Sequence, residues 1–168
     1  MSEAHARVPS SDSAAPSGAP SGVDRRERLA TTIASLERLR QEVVVSYCRL
    51  AGVSSFQARD EERHDVDPEE LRRFCQIMVD YTAMGHFEVY QRIMEGKERR
   101  QAVKDVAAEV YPAIARTTDY LVDFNDKYDG FDGSGDEVGM LERDLSKLGE
   151  VIGERGELED RILAALKR

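Results

Sequence analysis

Four stretches of this chain repeat their apolar residues at the three- and four-residue spacing of an α-helix. In residues 24–51, Leu29, Ile33, Leu36, Val43, Tyr47 and Leu50 make one seam, and Gly52 supplies a stop. Asp67-Pro68-Glu69-Glu70 opens the second stretch with an N-cap, a proline at the first helical position and acids in the first turn. It closes near Gly96. The third stretch, residues 101–128, carries Val103, Ala107, Val110, Ile114, Thr117, Leu121, Phe124 and Tyr128. Pro112 lies within it and predicts a kink or a fresh start. Residues 129–136, "DGFDGSGD", read as a turn. The fourth stretch, residues 137–166, repeats Val138, Leu141, Leu145, Leu148, Ile152, Ile162 and Leu166. No segment alternates like a strand. The pattern predicts an all-α fold, an antiparallel four-helix bundle spanning residues 23–168. Residues 1–22 are rich in Ser, Ala, Pro and Gly and nearly free of large apolar groups, which predicts a disordered tail.

The second stretch has apolar residues on two sides. Leu71, Phe74, Met78, Gly85 and Val89 line one, with Tyr81 and Thr82 beside them. Asp80, Met84, Phe87, Gln91 and Met94 line the other. Such a helix either sits centrally in its own protein or offers its second side to a partner. Packing on a neighbouring helix accounts for Met84 and Phe87 but leaves Asp80 idle between them. Apolar anchors with an acid aimed at a basic group account for Asp80, Met84, Phe87 and Gln91 together. His86 stands beside this stripe. It reads either as a boundary histidine or as a partner contact. A phosphotransfer bundle would also expose one histidine, but Glu88 so close to His86 would repel a phosphate.

Three charges fall on inward positions: Arg40 between Leu36 and Val43, and Arg155 and Glu159 between Ile152 and Ile162. An unpaired buried charge costs several kcal/mol, so they are expected to pair. Arg155 and Glu159 are one helical turn apart, Arg40 reaches Glu159 across the core, and Glu88 neutralises the remaining positive charge. This polar core reads as a structural network that fixes helix register, not as a catalytic site. A di-iron carboxylate bundle needs two inward Glu-x-x-His motifs, and only Glu61 to His64 has that form. The acidic turn lacks the glycine and glutamate a calcium loop requires. No metal and no cofactor is expected.

Composition narrows the partner. A net charge of −9 disfavours nucleic acid and suits a basic protein surface. Cys48 and Cys75 have neither metal nor redox spacing and read as reduced thiols. No apolar run is long enough for a membrane span, and no signal-peptide core precedes the bundle.

The segment "FCQIMVDYTAMGHFEVYQRIM" resembles the signature helix of the regulator of sigma D (Rsd/AlgQ) family of bacterial anti-sigma factors. "LERLRQEVVVSYCRLAG" is similar to that family's first helix and "LGEVIGERGELEDRIL" to its last, although Gly156 stands where the family carries phenylalanine. The resemblance covers about residues 24–168. It implies a cytoplasmic, non-enzymatic regulator of transcription, and a monomer is expected. It also implies that the surface around the second helix grips the primary sigma factor, chiefly through region 4, and keeps it from core polymerase and promoter DNA. Two other classes remain open: a phosphotransfer module acting through His86, and a structural bundle that self-associates through Met84 and Phe87.

Overall fold

The apolar seams close on one another in the computed structural model, which describes residues 22–52 and 66–168. Residues 1–21 of the expected tail and residues 53–65, with Glu61 and His64, lie outside the described residues, while Gly22, expected in the tail, is helical. Helix α1 is Gly22–Leu50. Helix α2 begins at Pro68–Met84, passes through a π-helical segment, Gly85–Tyr90, and ends in the turn Gln91–Met94. Helix α3 is Gln101–Tyr128 and α4 is Glu137–Leu166. Among the described residues there is no strand.

The start of α2 follows from its sequence. The Asp67 carboxylate accepts from the Glu69 amide at 3.0 Å, and Pro68 occupies a position whose amide would have no helical partner. Pro112 neither ends nor restarts α3, as one helix runs through it. It lies on the exposed face, where the Ala108 carbonyl that loses its helical partner meets water.

Cross-helix contacts fix the directions. Tyr47 of α1 meets Phe74 of α2, and Tyr90 of α2 meets Tyr111 of α3. Tyr128 bonds Asp144 at the α3–α4 turn, while Arg161 pairs with Glu109 further along. Lys167, at the end of α4, reaches Glu37 in the first half of α1. Each neighbouring pair therefore runs antiparallel. The core contains Leu36, Phe74, Met78, Ile114 and Leu148, all essentially inaccessible. Each such side chain stabilises the fold by about 1.5–3 kcal/mol relative to exposure. All eight seam positions of α3 are buried. In α4, Val138 is 38 % exposed, and Val151 and Leu163 join the core instead.

One of the α4 glycines is a packing device. A side chain at Gly149 would collide with the Tyr47 hydroxyl and ring, which lie directly against its backbone. From there Tyr47 donates to the Leu145 carbonyl at 2.9 Å and ties α1 to α4.

Candidate functional site

The centre of the bundle is polar. Arg155 and Glu159 are 0 % and 1 % exposed, with Nε and Oε1 3.0 Å apart. Tyr81 donates to Glu159 Oε2 at 2.5 Å and Tyr90 donates to Oε1 at 2.7 Å. Arg155 Nη1 donates to the hydroxyls of Thr117 at 3.0 Å and Thr118 at 2.8 Å. The guanidinium also lies within cation–π range of two rings, 5.2 Å from Tyr81 and 6.0 Å from Tyr90. Among the described residues its Nη2 has no hydrogen-bond partner, and it lies beside Gly85, where a Cβ would stand 3.5 Å from it. Burial pushes the Tyr81 and Tyr90 hydroxyls far above the usual tyrosine range, and the Glu159 charge adds to that shift. Both stay neutral and act as donors to the carboxylate.

Of the other two expected members of this centre, Arg40 stands at its edge and still reaches Glu159, whereas Glu88 lies outside it. Arg40 is half-buried at its edge, 3.8 Å from Glu159 but 2.7 Å from Asp160. It also donates to the Gly156 carbonyl at 3.2 Å. Glu88 is exposed and does not neutralise the core. The sequence reading missed Tyr81, Tyr90, Thr117 and Thr118, which surround the ion pair with neutral hydrogen bonds and ring faces.

The π segment explains how two tyrosines of one helix reach one carboxylate. Tyr90 follows Tyr81 by nine residues, which in α geometry is about two and a half turns and places them on opposite faces. Between Gly85 and Tyr90 the helix winds more slowly, with the Gln91 amide bonded to the His86 carbonyl five residues back. The lost rotation carries Tyr90 and Ile93 into the core. Gly85 leaves room for the returning ring, since a Cβ there would lie 3.3 Å from Tyr90 Cε2.

Outside this centre, α2 and α3 leave an apolar groove of about 300 Å³. Met78, Thr82 and Leu121 form its floor, and Val79, His86, Phe87 and Val122 stand along it. Phe87 is 60 % exposed, and the His86 ring meets it edge-on at 4.9 Å. The stripe expected from the sequence is thus divided. Phe87 and His86 belong to the groove. Asp80 is exposed and accepts from Gln76 at 3.0 Å, and Gln91 is exposed and bonded to Glu95. Met84 is half-buried against the core and is a poor candidate for an exposed anchor.

Burial raises the Cys75 thiol to about 11, so it stays protonated. Among the described residues, no three His, Cys, Asp or Glu side chains are grouped to hold a metal ion. No described helix is long and apolar enough to cross a membrane.

A helical bundle with a buried polar centre and an apolar groove topped by an exposed phenylalanine has the build of a partner-binding protein. Residues 21–167 match the family described as regulator of RNA polymerase sigma(70) subunit, Rsd/AlgQ, and the chain belongs to that family. It is 30 % identical over 125 residues to a "Regulator of sigma D" of Yersinia pseudotuberculosis serotype O:1b (strain IP 31758), covering 74 % of this chain and 72 % of the relative. A "Regulator of sigma D" of Enterobacter sp. (strain 638) is 32 % identical over 131 residues, with 75 % and 74 % covered. No solved structure matches the chain.

Proposed function

We propose that this chain is an anti-sigma factor that binds the primary sigma factor, chiefly through region 4, and withholds it from core RNA polymerase and promoter DNA. It acts by occlusion in the cytoplasm, without catalysis and without contacting nucleic acid or membrane. The observation that carries this reading, beside the family, is the exposed Phe87 over the apolar groove between α2 and α3. An exposed aromatic beside a groove is the form of an interface anchor. The acidic chain suits the basic helices with which a sigma factor reads DNA, and Asp80 offers its carboxylate near the same face.

The test measures folding and binding separately. Phe87→Ala and Asp80→Ala should melt like the parent protein, because both side chains are exposed. Phe87→Ala should weaken sigma binding by about 2 kcal/mol, roughly thirtyfold. Asp80→Ala should reduce the salt dependence of binding. Parent affinity in both folded variants would place the contact elsewhere.

His86 is exposed, so phosphotransfer is a second reading with its own test. Incubation with phosphodonor kinases should leave no acid-labile phosphate on the chain. Phosphohistidine that disappears in His86→Gln would replace the binding reading.

A further inference from the structure

We infer, resting on the sigma-binding reading, that the π segment is the positioning device of the contact face, and that Tyr90 pins it from inside the bundle. Three observations converge. The first is the direction of Phe87. It stands nine residues after the core residue Met78, so in continuous α geometry it would point straight away from the core. Each residue of the π segment turns less, so Phe87 lags toward Val79 and leans over the groove, where it meets the surroundings of Val122. The same reduced rotation explains why the exposed Phe87 and the buried Tyr90 are only three residues apart.

The second observation is the pin. Tyr90 is 2 % exposed, and its hydroxyl donates to Glu159 Oε1 at 2.7 Å. The other oxygen of that carboxylate holds Tyr81, in the α part of the same helix, at 2.5 Å. One carboxylate therefore clamps α2 just before the π segment and at its last residue. The third is Gly85, at the first position of the segment. Its missing side chain admits the Tyr90 ring and Arg155 Nη2. π segments are rare and concentrate at functional sites. This one joins the buried centre to the surface that carries Phe87 and His86.

A π segment is an α-helix with one residue inserted, and removing one residue restores α winding without disturbing what lies on either side. Glu88 is exposed and sits inside the segment. Its deletion should leave Tyr81, Val89, Tyr90 and Ile93 on the core face, while Phe87 swings away from the groove. The variant is expected to fold cooperatively and to bind the sigma factor about tenfold more weakly or worse. Deletion of Gln76, which is exposed but lies in the α part, should instead rotate the whole downstream core face outward and prevent folding.

A folded Glu88 deletion with parent affinity would overturn the inference. So would a Glu88 deletion that fails to fold, because the register premise would be wrong. Tyr90→Phe keeps the ring and removes its bond to Glu159. It should speed amide hydrogen exchange across residues 86–91 relative to residues 74–82, and unchanged exchange would overturn the role of Tyr90 as the pin. Phe87→Ala, measured alongside, separates the two ideas. If it binds like the parent, the sigma-contact reading fails. If it weakens binding while the Glu88 deletion does not, only the positioning role fails.

Discussion

Glu159→Gln is expected to destabilise the bundle more than Arg155→Met, although the two residues are partners. The asymmetry comes from what each change leaves behind. With glutamine at position 159, Arg155 remains a cation that is 0 % exposed and cannot lose its proton. It keeps its bonds to Thr117 and Thr118 and two ring faces, all neutral. Breaking a buried pair in this way costs about 3–5 kcal/mol. With methionine at position 155, Glu159 keeps Tyr81, Tyr90 and, at 3.8 Å, Arg40. The Thr117 and Thr118 hydroxyls lose an incoming donor but strand no proton, because both donate to the Ile114 carbonyl. That loss should be about 1.5–3 kcal/mol, as for a hydrogen bond to a charged group. With a urea m-value of about 2 kcal/mol per molar, the midpoint should fall by about 1.5–2.5 M for Glu159→Gln and by clearly less for Arg155→Met. The double variant strands no fully buried charge, so its loss should fall below the sum of the singles by about 2 kcal/mol. Urea titrations followed by helical circular dichroism measure all three. A larger loss in Arg155→Met, or strict additivity in the double variant, would refute this account of the polar centre.

The remaining predictions concern single groups. Gly153→Ala should stabilise α4 by about 0.5–1 kcal/mol, since nothing lies within 4 Å of the new methyl. Gly149→Ala should destabilise it by about 1–3 kcal/mol, because Tyr47 must move and release Leu145; calorimetry of both variants checks the opposite signs. In the native protein a thiol reagent should leave Cys75 unmodified until the chain unfolds, as its thiol is buried and raised to about 11. Tyr81 and Tyr90 have folded-state values raised above the ordinary tyrosine value of about 10, so their contribution to stability is complete below about pH 10 and declines as pH rises beyond it. Their tyrosinate absorbance should appear only together with loss of helical signal.

Most of the bundle was legible in the sequence because α-helical seams repeat locally. The eight apolar positions of α3 needed only one spacing rule, and the Asp67–Pro68 start of α2 only capping chemistry. The inward positions of Arg155 and Glu159 followed from the same spacing. Their neutral partners did not, because Tyr81 looked like a flank residue and Thr117 like an ordinary seam residue. Glu88 was assigned to the core by elimination, since a charge was sought to balance a charge. The structure instead surrounds Arg155 with hydroxyls and ring faces, which a count of charges cannot anticipate.

The second apolar side of α2 was the real difficulty, and its cause is the π segment. A reading at constant helical pitch puts Tyr90 opposite Tyr81. It therefore finds more apolar surface than one face can bury. Part of that excess disappears once the helix unwinds by one residue, because Tyr90 and Ile93 turn inward and both are buried. Met84 settles halfway, against the core. Phe87 and Met94 are what the correction leaves outside, and Phe87 is the one over the groove. A signal existed in the chain: Tyr90 and Ile93 keep helical spacing with each other but fall out of phase with Phe74 and Tyr81. Gly85 stands at the break, as small as the returning ring requires. A phase slip of one residue beside a glycine, in a helix that is otherwise regular, marks where a bundle turns a side chain out of its own core. Here that side chain is the aromatic anchor of the proposed sigma contact.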